Sequence, residues 1–322
     1  MKILLAGGGG YIGSALVPAL LERGYSVTVV DLLWFGNHLP EGVTVFQKDV
    51  FHLQETELKE FDEVIFLAGL SNDPMAEYSP SKNFISNAAA PAYLAYLAKR
   101  ADVKRYIYAG SCSVYGYTVN ELYDEESPAV SQYPYGISKL QGEQAAMQLR
   151  GNGFSVICFR QGTVSGYSPR MRLDLIVNTM YKTAVQKGEI VVNNPSIWRP
   201  ILSIEDAVSA YVRAIEASDE ISGVFNLASG NYTVGEVADV VKDHIQEKMN
   251  RKVKLTIKHL QDFRNYKVSV EKAINVLSFK PRHSVGSIVD HLMLHAEKFR
   301  DFDNPAYYNI RVFEALEKDE KR

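Results

Sequence analysis

"LLAGGGGYIGS", residues 4–14, constrains the fold of this chain more than any other stretch. Gly7, Gly10 and Gly13 stand between an apolar run, "KILLAG", that reads as a strand, and Tyr11–Arg23, which reads as a helix. Each glycine meets a geometric demand. Gly7 permits a tight turn, Gly10 lets backbone approach a pyrophosphate at a helix N-terminus, and Gly13 lets helix and strand pack closely. The uncharged stretch from Ile3 to Leu21 also resembles a signal peptide or a membrane span. The glycines and Pro18 cut it into strand and helix, so neither reading is adopted. Pro18 falls inside the helix, where a missing N–H is expected to kink the axis.

The alternation continues. "YSVTVVD", "GVTVFQKDV", "DEVIFLAG", "VKRYIYAGS" and "FSVICFR" read as further strands, with helices over Pro80–Arg100 and Tyr135–Arg150. Strands alternating with helices imply right-handed crossovers and an α/β fold: a Rossmann-type doubly wound parallel sheet. After Arg160 the rhythm breaks into loops and shorter elements. The expected organisation is a dinucleotide-binding domain over residues 1–165, a segment at about 203–230 returning to it, and a smaller α/β substrate-binding region over 166–322. The last stretch, "EALEKDEKR", reads as a solvated helix end or frayed tail.

Composition excludes some partners. A net charge of -3 over 322 residues, with no long basic run, argues against nucleic acid and anionic membrane. No other stretch is apolar enough to span a bilayer. The two cysteines, Cys112 and Cys158, cannot build a disulfide framework and read as reduced thiols of a cytoplasmic protein. His291 and His295 lie four apart, a spacing that can bind metal. No glutamate follows His291, so they read as solvated histidines on an amphipathic helix and no metal is expected.

Two sets of residues carry chemistry. Asp31, 18 residues beyond Gly13 at the end of the second strand, is placed to accept bonds from an adenosine ribose. Its carboxylate repels a 2′-phosphate, and "LLWFGN" after it offers no Arg or Lys to welcome one, which favours NAD over NADP. Trp34 and Phe35 fit either an adenine pocket or a core. The second set is Ser111, at the end of the fifth strand, with Tyr135 and Lys139 following 24 and 28 residues later. A spacing of four puts Tyr135 and Lys139 on one helical face. A free tyrosine titrates near ~10, and a neighbouring ammonium and a cationic nicotinamide are expected to lower that value.

Taken together, these residues resemble the extended short-chain dehydrogenase/reductase superfamily in its nucleotide-sugar epimerase/dehydratase branch. The glycine loop, Asp31, "KDV" at 48–50, "FLAG" at 66–69, Asn87, "SCSVYG", "YGISK" and "NLASG" carry the resemblance over most of the chain. It implies Tyr135 as base, Lys139 as its lysine and Ser111 as the small hydroxyl residue. It implies cofactor contacts at Tyr11, Ile12, Leu32, Asp49, Val50, Leu67, Ala68, Gly69 and Asn87. For the nucleotide-diphosphate sugar it implies Ser71, Asn72, Ser113, Asn178, Arg199 and Arg264, with Arg170 and Arg172 equally readable as ordinary charges. It also implies a homodimer through a four-helix bundle.

The resemblance implies oxidation of a sugar hydroxyl, usually at C4, and then branches. Dehydratases of the dTDP-glucose type place Asp-Glu after the hydroxyl residue, where this chain has Cys112 and Ser113. GDP-fucose synthase uses a cysteine that would sit at Ser113, so Cys112 reads as packing. UDP-galactose 4-epimerases carry a lysine where Ser71 stands, and Asn72, Asp73 and Pro74 read equally as turn residues. "GYSPRMRLDLIVN" resembles a polysaccharide-biosynthesis subgroup that includes GDP-heptose 4-dehydrogenases. The expectation is therefore an NAD-dependent 4-epimerase acting through a 4-keto sugar. A 4-dehydrogenase releasing that ketone is the alternative; a 4,6-dehydratase and a non-catalytic NAD-binding regulator stand behind both.

Overall fold

The computed structural model describes residues 1–259 and 265–320. Seven strands form one sheet: β1 (Lys2–Ala6), β2 (Ser26–Val30), β3 (Thr44–Phe46), β4 (Glu63–Phe66), β5 (Arg105–Ser111), β6 (Ser155–Gln161) and β7 (Gly223–Leu227). Across the sheet they run β7-β6-β5-β4-β1-β2-β3, and every pairing is parallel. All seven residues of β6 and six of the seven of β5 are buried, as expected for central strands covered on both faces.

Helices supply the two covers. On one face Leu16, Val17 and Leu20 of α1 (Gly13–Glu22) pack with Tyr211 and Ile215 of the helix Ile204–Glu216. On the other, Leu94 and Ala98 meet Ala146 of the helix Pro134–Gln148. α1 runs through Pro18 without a break. A third apolar cluster lies among the helices Ile176–Lys187, Val234–Met249 and Val285–Leu294, with Tyr181, Val241 and Leu292 at its centre. Around it are a three-stranded sheet built from Thr163–Ser165, Trp198–Ser203 and Gly230–Thr233, and a strand pair of Glu189–Asn193 with Lys254–Lys258.

Three local readings change. The segment read as one helix over Pro80–Arg100 contains a π turn at Ile85–Ala89, a rare widening that often marks functional sites. The π turn carries Asn87, whose fully buried amide donates to Leu70 O at 2.9 Å and to Asn83 Oδ1 at 2.7 Å. Of the C-terminal stretch, residues 314–320 form the end of a helix, as one of its two readings has it, but that end is not fully solvated. Asn309–Glu320 is a helix that buries Phe313 and pairs Glu317 with Lys82. His291 is also less solvated than its spacing suggests: it is partly buried against Glu205 and Tyr167, and His295 stacks on the Tyr167 ring at 4.3 Å. No helix among the described residues is long and apolar enough to cross a membrane.

Candidate active site

The carboxyl ends of the central strands open onto a cleft of about 670 Å³. Its cofactor-facing end begins at the glycine loop. Gly7 has φ +82°, and a Cβ there would stand 2.4 Å from Ala68 N. A Cβ on Gly13 would meet Gly8 O at 2.4 Å, while one on Gly10 would meet only Gly7 O, at 3.2 Å. Gly7 and Gly13 therefore serve close packing, and Gly10 leaves room beside the loop. Among the described residues, the N–H groups of Tyr11 and Ile12 have no protein acceptor, at the positive end of α1. Free donors at a helix N-terminus suit a phosphate.

Asp31 stands behind this loop. Its Oδ2 accepts from Gly9 N at 2.9 Å and its Oδ1 from Leu33 N at 2.7 Å. Burial raises its pKa above the usual carboxylate range, against the lowering effect of those two bonds. Asp31 thus pins the loop to the end of β2 and keeps lone pairs for a ribose. Tyr11, Ile12, Leu67 and Gly69 border the cleft. Leu32 is exposed, Asp49 caps the turn at Val50–His52, and Ala68 packs against Gly7. Asn87 lies under Gly69, with its Oδ1 lacking a partner. Of the two aromatic residues after Asp31, Phe35 lines the cleft and Trp34 packs on Phe313 at 5.8 Å. The bare donors, the acceptor-rich Asp31 and the apolar walls fit a dinucleotide.

Ser111, Tyr135 and Lys139 border the same cleft. Ser111 ends β5 and caps the following turn, its Oγ accepting from Ser113 N at 3.2 Å and from Ser113 Oγ at 2.8 Å. Tyr135 and Lys139 share a face of the helix Pro134–Gln148, with Nζ 6.0 Å from the tyrosine ring centre. Lys139 Nζ donates to Ala109 O at 3.0 Å. Burial pushes the Tyr135 phenol up to about 12; Asp73 adds to the rise, and Ser111 and Arg172 oppose it. Burial also brings Lys139 down to about 8. This corrects the expectation that the lysine lowers the tyrosine: in the protein alone desolvation dominates, and Lys139 is spent on a backbone carbonyl.

The opposite wall carries a hydrogen-bonded group in which Ser71, Asn72 and Arg172 were sequence candidates and Asp174 and Asn309 were not. Arg172 forms a two-pronged pair with Asp174, at 2.9 and 3.1 Å, and donates to Ser71 Oγ at 3.2 Å. Asn72 caps the helix Asp73–Tyr78 through Met75 N, reaches Asp174 and lines the cleft. Asn309 joins them, donating to Ser71 Oγ at 2.6 Å. Ser113 and Arg199 line the cleft, with the Arg199 guanidinium 5.5 Å from the Tyr266 ring centre. Asn178 does not face it. Its buried amide bonds Gly166 N and O, Arg172 O and Tyr11 Oη, which ties the 166–172 loop to the glycine loop. Arg264 lies outside the described residues. Cys112 is buried, donates to Arg160 O at 3.0 Å, and has its pKa raised by burial, so its thiol is a packing group.

Residues 3–228 match the model of the family described as the NAD dependent epimerase/dehydratase family. A UDP-glucose 4-epimerase of Halalkalibacterium halodurans is 26% identical over 90% of this chain and 94% of its own length. UDP-glucuronic acid decarboxylase 1 of Arabidopsis thaliana is 28% identical, covering 88% of this chain and 67% of the relative. Among solved structures, MoeE5 in complex with UDP-glucose and NAD has a TM-score of 0.81 at 24% identity, covering 93% of this chain and 99% of that one. At this identity the likeness shows the fold.

Proposed function

Because this chain belongs to the NAD dependent epimerase/dehydratase family, we propose that it is an NAD-dependent nucleotide-sugar C4 oxidoreductase, working as a 4-epimerase through a 4-keto intermediate. The observation that carries this reading is the convergence of Ser111, Tyr135 and Lys139 on the cleft that starts at the glycine loop. A regulator that only bound the dinucleotide would have no use for a half-buried phenol beside a lysine and a serine. UDP-sugars are the first substrates to test, because relatives that act on them match along almost the whole chain.

A phenol held up at about 12 yields its proton only when positive charge is added beside it. NAD+, held at the glycine loop and Asp31, would supply that charge and the reversible hydride acceptor. Tyr135 would take the proton of the C4 hydroxyl and later give it back. Ser111 would donate to the same substrate oxygen. Nothing at 112 or 113 expels water: the Cys112 thiol is sealed and Ser113 offers only a hydroxyl. That disfavours a 4,6-dehydratase of the dTDP-glucose type. Arg199 is assigned to the substrate diphosphate, and Ser71 and Asn72 to the sugar. Asn178 is left out because its amide is consumed inside the protein. Residues 1–165 with about 203–230 form the cofactor half in this reading, and the rest of 166–322 the sugar half. The proposal includes a homodimer through the helices of 80–100 and 134–148, where Ile85 and Tyr96 are 51% and 49% exposed.

The test is product analysis with UDP-, GDP-, CDP- and dTDP-sugars. An epimer without solvent deuterium at C4 supports the reading; a released ketone that needs an external oxidant makes the protein a 4-dehydrogenase. Tyr135→Phe should lower turnover at least ~100-fold while dinucleotide affinity stays within about twofold. Unchanged turnover would remove Tyr135 from the chemistry.

A further inference from the structure

Arg170 is a buried cation with no ion pair among the described residues. It is 2% exposed, yet no carboxylate among the described residues lies within ion-pairing distance. Its neighbour Arg172 is neutralised by Asp174. For Arg170, Nη2 donates to Asn309 Oδ1 at 2.5 Å and Nε has no partner. An unpaired buried charge is costly, and proteins keep one where a ligand completes it.

The position of Arg170 names the ligand. Its backbone N donates to Ser14 Oγ at 3.2 Å, which fixes the residue against the first turn of α1. Ser168 Oγ, two residues earlier, donates to Tyr11 O at 2.7 Å in the glycine loop. The guanidinium lies 3.6 Å from the centre of the Phe35 ring, beyond the end of β2, and its charge acts on Asp31. Arg170 therefore lines the same cleft as Tyr11 and Ile12, whose N–H groups are bare, on a loop pinned to the first turn of α1. A planar fork in the cleft that a bare helix N-terminus also borders suits two bridged phosphates.

We propose that Arg170, carried in on the loop that follows the sheet, is a clamp on the pyrophosphate of the bound dinucleotide, closing the glycine loop from the opposite side. This deepens the reading of the cleft as an NAD site and does not depend on which sugar is turned over. The sequence hides this residue: "LLWFGN" has no cation, and the one that serves this place comes from 139 positions after Asp31. Asn309 holds the fork ready by its amide oxygen.

The experiment is calorimetric binding of ADP-ribose, which has the pyrophosphate, and of adenosine, which does not, to protein stripped of dinucleotide. Arg170→Gln should weaken ADP-ribose at least about tenfold and leave adenosine within about twofold. Arg170→Lys, which keeps charge and bulk but loses the fork, should fold like the parent and weaken ADP-ribose to an intermediate degree, so the proposal stays testable if the glutamine variant does not fold. Equal losses for both ligands would show a structural residue and overturn the proposal. A loss confined to 2′-phospho-ADP-ribose would move Arg170 to the ribose edge and overturn it too. If ADP-ribose and adenosine both fail to bind the parent, the NAD reading itself fails.

Discussion

Lys139 and Tyr135 were legible as a pair because a spacing of four is a geometric statement: it fixes a shared helical face before any fold is known. What the pair does to its own titration was not legible, because that depends on depth. Lys139 is buried, and its ammonium is held down at about 8 against 10.5 in a free chain. Between those values the unfolded chain keeps a proton that the folded protein has released. Stability therefore rises with pH across that window, while below it the folded protein carries the full cost of a buried charge. Lys139→Met removes this dependence. The stability of the wild type relative to Lys139→Met should rise by about 2 kcal/mol from about pH 7 to about pH 10 in urea titrations. A flat difference would mean that the ammonium is solvated. Arg170, Arg172 and Asn178 show the reverse case. In the sequence Asn178 resembles a substrate contact and the two arginines read equally as ordinary charges, and only the fold reveals that Asn178 is internal glue, Arg172 is neutralised and Arg170 is not. Asp31 was readable as a carboxylate at a strand end, but not that Gly9 and Leu33 N–H groups already occupy part of it.

Strands of the main sheet were readable because central parallel strands, covered on both faces, appear as unbroken apolar runs. Arg105 breaks that pattern at the start of β5, where it looks like a solvated charge. It is instead fully buried. Its guanidinium pairs with Glu63 of β4 at 3.1 Å and bonds Ser155 Oγ of β6. It also donates to the carbonyls of Ala214, Ile215, Ala217 and Ser218, which end the helix Ile204–Glu216. One side chain thus caps a helix C-terminus, where positive charge is favoured, and fastens it to three adjacent places on the sheet. Arg105→Met strips those carbonyls of their donor and leaves Glu63 buried without a partner. The expected cost is about 3–5 kcal/mol in denaturant unfolding. Adding Glu63→Gln should recover part of it, since the stranded carboxylate is then gone. A single-variant loss of under about 1 kcal/mol would put this pair in the class of weak surface bridges and refute the keystone role. The π turn at Ile85–Ala89 was unreadable for a different reason: one inserted residue leaves the helical composition unchanged, and only the inward amide of Asn87 betrays it.

At the scale of the whole molecule, the last helix was readable as a helix end, but its charges hide a buried stripe that includes Phe313. The turn before the last helix is held by residues 173–182, with Leu173 N donating to Tyr307 O at 2.9 Å and Lys182 Nζ to Tyr308 Oη at 3.1 Å. The helix Asn309–Glu320 then crosses to the segments that follow β2 and β4, where Phe313 meets Trp34, Tyr78, Leu70 and Met75. Asn309 sits at the crossing and touches Ser71, Arg170 and the Asp174 carboxylate. A segment that grips both walls of the cleft transmits strain between them, so the Phe313 anchor should govern more than its own packing. Phe313 is 1% exposed, and Phe313→Ala should cost about 3–5 kcal/mol through the cavity it leaves. The chain has only two tryptophans, Trp34 and Trp198, so a Trp198→Phe background isolates the reporter beneath the helix. In that background Phe313→Ala should red-shift Trp34 emission as water enters, and limited proteolysis should cut first after residue 308. If Trp34 emission and the cleavage pattern both stay at their parental values, the helix is held by Asn309 and the Glu317–Lys82 pair instead, and Phe313 is not the anchor.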